Sequence, residues 1–380
     1  FWSADVNAGA GNDIIVGGSG FDVLRGEAGN DTIRGGGARD DLYGGSGDDV
    51  ILGEVGSDNI YGETGNDTLN GGEGDDYLAP GTGVDVVIGG TGIDTVDIDN
   101  RNDTANTTIT YNDPNNGTIA GGSNGGTTFR EIERARIYTG SGDDNIDLSA
   151  TNYNGFWSAD VNAGAGNDII VGGSGIDVLR GEAGNDTIRG GGARDDLYGG
   201  SGDDVILGEA GSDNIYGEAG NDTLNGGEGD DYLAPGTGVD TVIGGIGIDR
   251  LAIDNRNDTA NTTITYNDPN NGTITGGSND GTTFREIERA DILTGSGNDN
   301  IDLSATNYNG FWSADVSAGG GNDTIVGGSG IDVLRGEAGN DTIRGGGARD
   351  DLYGGSGDDL ILGEAGSDNI YGEAGNDTLN

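Results

Sequence analysis

The sequence predicts an all-β solenoid of stacked parallel strands. Three observations predict it: a nine-residue period, an Asp fixed at one place in that period, and an aliphatic residue fixed two places later. From Ala8 the chain divides as AGAGNDIIV, GGSGFDVLR, GEAGNDTIR, GGGARDDLY, GGSGDDVIL, GEVGSDNIY, GETGNDTLN, GGEGDDYLA, PGTGVDVVI and GGTGIDTVD. The eighth position is always aliphatic, from Ile15 and Leu24 to Val87 and Val96. The fourth is Gly in every nonad but one, which has Ala38.

A longer period lies over the short one. "FWSADVNAGAGND" opens at Phe1 and again at Phe156, and "FWSADVSAGGGND" opens at Phe311, a spacing of 155 residues. Residues 1–155 and 156–310 differ at 13 positions. Each copy carries a block of nonads and then an aperiodic spacer. The boundaries read as blocks over 1–97, 156–252 and 311–380, with spacers over 98–155 and 253–310.

Composition narrows the function. The chain has 380 residues, a formal charge of −50, 83 Gly, and no Cys, Met or His. All 17 cationic residues are Arg. Such charge with so thin a core leaves three readings: disorder, a polyanionic coat, or a fold completed by cations. Nucleic acid is a poor partner, because phosphate would be repelled, and none is expected. No apolar run reaches the ~18 residues of a membrane span. No basic segment followed by an apolar stretch marks a signal peptide. The start on Phe1 suggests a window on a longer or processed protein. Without His or Cys, the usual zinc sites and every Ser/His or Cys/His catalytic pair are excluded. Carboxylate pairs are plentiful, so residue type leaves glycosidase chemistry open, but no unusual pair stands apart, and the chain reads as no enzyme. "DIDNRNDTANTT" from Asp97 lacks the Gly and Glu that an EF-hand loop needs. Sequons such as Asn30-Asp31-Thr32 fall inside the repeats and are incidental.

The nonad resembles the RTX family of calcium-binding repeats, G-G-x-G-x-D-x-U-x. Twenty-seven nonads in register carry the resemblance, over about two thirds of the chain. The residues suit the chemistry. Glycines allow tight turns whose carbonyls face inward. Calcium takes about six to eight oxygens, from carboxylates and backbone carbonyls. One turn with one Asp supplies half a shell, and the next coil supplies the rest. The three residues after the Asp form a short strand with its middle member inward.

The resemblance implies a calcium β-roll in which two nonads make one coil, so that Ca²⁺ lies between nonads i and i+2. Asp49 then shares ions with Asp31 and Asp67, and Asp58 with Asp40 and Asp76. The implied ligands in the first copy are Asp13, Asp22, Asp31, Asp40, Asp49, Asp58, Asp67, Asp76, Asp85 and Asp94, with Asp144 from the spacer nonad "TGSGDDNID". In the second copy they are Asp168, Asp177, Asp186, Asp195, Asp204, Asp213, Asp222, Asp231, Asp240, Asp249 and Asp299. In the third they are Asp323, Asp332, Asp341, Asp350, Asp359, Asp368 and Asp377. The gaps number about 21, and that many Ca²⁺ nearly balance the charge of −50. The metal-free chain should then be disordered.

Some turns depart from the pattern. Glu27, Glu54 and Glu63 replace the second Gly and read as outward, solvated carboxylates. Phe21, Arg39, Val84 and Ile93 replace the polar fifth residue, and the Ala38–Arg39 turn fits least. "FWSADVN" reads as a degenerate nonad with Val6 inward, Ala4 in the ligand place, and Phe1 and Trp2 plugging the coil. In the spacer, alternation in "TTITY" and turn signals in "NDPNNG" and "GGSNGG" predict short strands. "FREIERARI" reads as strand continuing the solenoid, rather than as a helical turn.

Positions seven and nine face outward, on alternating sheets. Ile14, Val16, Val50, Leu52, Val86 and Ile88 stripe one face with aliphatics that solvent disfavours, which suggests lateral packing. Three functions follow: a surface fibre or sheath protein that self-associates, the stalk of a large adhesin, or the calcium-folding tail of a secreted enzyme or toxin. Near-identical tandem units favour the first. The RTX resemblance places the protein outside the cell, exported by a type I system of a Gram-negative bacterium.

Overall fold

The computed structural model describes residues 3–113, 116–151, 158–268, 271–306 and 313–380. The expected Phe1–Trp2 plug lies outside them. The chain forms two compact units, Phe1–Asp196 and Leu197–Asn380. Each is a parallel β-solenoid, and the sole helix among the described residues is the one-turn 3-10 segment Gly277–Asn279. No helix there is long and apolar enough to cross a membrane.

Within the first run of nonads, strands pair in parallel with the strand 18 residues further on. Val23, Leu24 and Arg25 meet Asp41, Leu42 and Tyr43 in one sheet. Thr32, Ile33 and Arg34 meet Val50, Ile51 and Leu52 in the other. One coil is therefore two nonads, and successive nonads feed alternate sheets. The eighth residues point between the sheets. Leu24, Ile33, Leu42, Ile51, Ile60, Leu69, Leu78 and Val87 have no exposed surface. Burying one such side chain stabilises by about 1.5–3 kcal/mol. That single file of aliphatics is the core.

Most strands are longer than the three residues expected. Thr32–Gly37 and Val50–Val55 each span six, running on through the first three turn positions. Glycine has low strand propensity, but here it is needed for approach rather than propensity. A β-carbon on Gly35 would lie 2.9 Å from the Gly53 carbonyl oxygen and 2.6 Å from Asp40 Oδ2. The missing side chain lets the next coil close down and extend the pairing.

The leading segment behaves as the degenerate nonad expected of it, with Asp5 and Val6 paired to Val23 and Leu24. In the spacer, "FREIERARI" is strand, as expected: Thr128–Arg130 and Arg134–Tyr138, with Glu131 left-handed (φ 57°) between them. Thr128 sits over Val86, and Arg134 over Thr95, so the coil continues. Less expected is an antiparallel hairpin. Thr108–Asp113 pairs antiparallel with Asn116–Ala120, which pairs antiparallel with Thr128–Arg130. Thr108–Asp113 then resumes parallel pairing with Asn145–Asp147. Two extra strands thus enter one sheet, while the other runs Thr95–Asp99, Arg134–Tyr138, Ser158–Asn162 without insertion. Tyr111 and Phe129 fill the interior here, edge to face with ring centroids 4.8 Å apart. The second unit repeats this plan, with its hairpin at Thr263–Asp268 and Asn271–Thr275.

Candidate metal centre

Each sixth-position Asp stands at the mouth of a strand, and stacking places it over its counterpart one coil away. One carboxylate oxygen holds the stack together. Oδ1 of Asp49 accepts the Asp31 N–H at 2.7 Å, and Oδ1 of Asp67 accepts the Asp49 N–H at 2.8 Å. Across the solenoid, Oδ1 of Asp58 and of Asp76 accept the N–H groups of Asp40 and Asp58 at 2.7 and 2.8 Å. Two columns of buried carboxylates result, at most 2% exposed from Asp22 to Asp94.

The second oxygen decides what the columns do. Oδ2 of Asp31, Asp40, Asp49, Asp58, Asp67, Asp76 and Asp94 is buried without a hydrogen-bond partner. A buried carboxylate left unmatched in this way is costly. The effect shows in proton affinity. Burial, joined by repulsion from Asp76, raises Asp58 to about 6. Burial, joined by repulsion from Asp49 and Asp85, raises Asp67 to about 7. In both, the hydrogen bond from the stacked backbone N–H opposes the rise. No cluster of three or more His, Cys, Asp or Glu forms among the described residues. A calcium shell here would draw on backbone carbonyls beside the carboxylates. Such carbonyls lie close by: a β-carbon on Gly35 would meet both Asp40 Oδ2 and the Gly53 carbonyl oxygen of the next coil. A hard cation that accepts mixed carboxylate and carbonyl donors fits this set.

The nonapeptide pattern matches a family model, the RTX calcium-binding nonapeptide repeat, at residues 7–42, 43–78, 52–87, 80–97, 162–197, 198–233, 317–352 and 345–379. The chain belongs to the RTX calcium-binding repeat family. RTX repeats bind calcium, and their fold is the β-roll seen here. Among curated proteins, none matches the chain.

Within this RTX frame the expected ligands fall into groups. The unmatched Oδ2 recurs at Asp13, Asp144, Asp168, Asp186, Asp195, Asp204, Asp213, Asp222, Asp231, Asp249, Asp299, Asp323, Asp341, Asp350 and Asp359. Asp22, Asp177 and Asp332 differ. Their Oδ1 atoms accept Ala4, Ala159 and Ala314 N–H groups, and their Oδ2 atoms accept Gly18, Gly173 and Gly328 N–H groups. Both oxygens are thus engaged by protein. Asp85 and Asp240 direct Oδ2 to the hydroxyls of Thr127 and Thr282. Asp368 and Asp377 are only partly buried.

The Ala38–Arg39 turn, expected to fit least, keeps the repeat geometry. Ala38 adopts φ 73°, and Asp40 Oδ2 remains unmatched. The nonad that departs is Gly17–Arg25, where neither Gly18 nor Gly20 has the left-handed backbone of the other turns. Its polar fifth residue is replaced by Phe21, half exposed. Glu54 points outward and pairs with Arg34 at 3.3 Å, as an outward carboxylate should.

A second ladder runs along the fifth position with the opposite polarity. Asn30, Asp48, Asn66 and Val84 donate their N–H groups to the side chains of Asn12, Asn30, Asp48 and Asn66, one coil earlier. Sequence reasoning missed the residues that close the columns. Thr127 Oγ1 accepts the Asp85 N–H at 2.9 Å, and Glu133 Oε2 accepts the Asp94 N–H at 3.0 Å. Thr282 and Glu288 repeat this in the second unit. The signal was position: each directly precedes a strand, as the Asp residues do.

Proposed function

We propose that this RTX chain is a calcium-stabilised extracellular structural protein that forms or extends a surface fibre. The sixth-position carboxylates with an unmatched Oδ2 supply the side-chain oxygens, and turn carbonyls supply the others. Calcium enters the turns and neutralises the columns, so folding and metal uptake are one event. Extracellular calcium drives that event after export, and the RTX family is typically secreted.

One observation carries the structural role. Parallel pairing passes from roll into spacer and out again without a break in the uninterrupted sheet. The spacer thus prolongs the solenoid, which suits a protein whose task is reach. Self-association follows from the outward aliphatics on the other sheet, where Val50 is 39% and Val86 42% exposed.

Electron microscopy of the protein with millimolar calcium, and after calcium removal by EGTA, tests this reading. The expected outcome is elongated assemblies that dissolve on chelation. Filaments that persist after complete calcium removal refute it. Lone rods that never associate point to the stalk of an adhesin instead.

A further inference from the structure

The two carboxylate columns of the first roll end differently. Above Asp85 stands Thr127, whose hydroxyl accepts the Asp85 N–H at 2.9 Å and lies 3.2 Å from Asp85 Oδ2. That end is closed by a neutral group. Above Asp94 stands Glu133. Its Oε2 takes the Asp94 N–H at 3.0 Å, while Asp94 Oδ2 stays fully buried and unmatched.

The backbone around Asp94 completes a familiar arrangement. Between nonads, a β-carbon on Gly71 would meet Asp76 Oδ2 and the Gly89 carbonyl oxygen of the next coil, so these two oxygens lie close together. A β-carbon on Gly89 would meet the same two kinds of oxygen, Asp94 Oδ2 and the Glu131 carbonyl oxygen. The spacer turn is shorter than a nonad turn. Thr128 and Arg134, six apart, pair with Val86 and Thr95, nine apart. Glu133 therefore occupies the place of a sixth-position Asp in a turn that lacks three residues. Its extra methylene restores the reach. The side chains whose charges act on Asp94 are Asp76, Glu133 and Asp75, all acidic. In the second unit Asp249 has an unmatched Oδ2, Glu288 Oε2 accepts its N–H at 3.0 Å, and Glu288 is 6% exposed.

We propose that Asp94 with Glu133, and Asp249 with Glu288, form a further divalent-cation site where roll meets spacer. The site takes calcium through two carboxylates and the carbonyl of Glu131 or Glu286. It rests on the calcium reading of the columns and extends it to residues outside the nonapeptide. One column of each complete roll thereby continues its metal series into the spacer, while the other stops at a hydroxyl.

Native mass spectrometry at saturating calcium tests the proposal by counting ions per chain. Glu133→Gln with Glu288→Gln should bind two fewer ions than the parent, and Glu133→Gln alone one fewer. Gln keeps an acceptor for the Asp94 N–H, so stacking survives, which circular dichroism checks. Thr127→Val with Thr282→Val should leave the count unchanged. An undiminished count in the Gln variants overturns this site while leaving the column sites intact. A parent chain that takes up no calcium overturns both.

Discussion

Removing calcium should make folding strongly dependent on pH, with the acid side favoured. Within the first roll, burial above all lifts Asp40, Asp58 and Asp76 to about 6, and Asp67 and Asp94 to about 7, from 3.8. In the unfolded chain these groups titrate near 3.9. The metal-free fold therefore holds their protons more tightly than the unfolded chain does. That stabilisation is fully present below about pH 4, shrinks as pH rises, and is lost once pH passes about 7. Each group in transit contributes about 1.4 kcal/mol per pH unit, so two together shift stability by about 3 kcal/mol over one unit. Against a typical total of about 5–15 kcal/mol, a few such groups decide whether the roll exists. The assay is far-UV circular dichroism on protein depleted of calcium by dialysis, since chelators weaken in acid. Strand signal should be present near pH 4.5, lost by about pH 7.5, and retained throughout when calcium is supplied. Asp58→Asn with Asp67→Asn and Asp76→Asn should flatten the metal-free profile. Depleted protein whose strand content is the same at both pH values would show that carboxylate burial is not what calcium offsets.

Further outcomes follow from single positions. Ile51→Ala empties a fully buried place between Ile33 and Leu69, and should cost about 2–5 kcal/mol, read as a raised calcium midpoint for folding. Val50→Ala, on the outer surface, should change that midpoint little. Ala38→Gly relieves a left-handed alanine at φ 73° and should stabilise by about 1 kcal/mol in thermal melts at fixed calcium. Val50→Lys with Leu52→Lys should abolish lateral association in sedimentation while leaving the coil count and calcium uptake unaltered. Unchanged assembly would remove the aliphatic stripe from the account.

The period of nine made much of this visible beforehand. Asp at the sixth place and an aliphatic at the eighth determined the columns and the core, because both depend on a stacking rule that every coil repeats. What escaped depended on local exceptions. Phe21 marked a turn that loses its left-handed glycines, yet Ala38 looked the weaker position by composition alone. Thr127 and Glu133 were hidden because the spacer turn is three residues shorter and the nonad frame does not extend to it. The hairpin at Thr108–Ala120 had the alternation of a strand, and alternation does not distinguish a parallel neighbour from an antiparallel one.

Pairing between residues 18 apart has a genetic consequence. Loss of two nonads would leave every later side chain on its own sheet, just as Tyr61, two nonads beyond Tyr43, lies on the same sheet and stacks on it. Loss of one nonad would send every later strand to the opposite sheet. Tyrosines would then land beside the aliphatic stripe, and each Asp would join the wrong column. Unequal crossing-over within a roll should therefore be tolerated in steps of two nonads and selected against in steps of one. Length variants of this protein are expected to differ by even numbers of repeats.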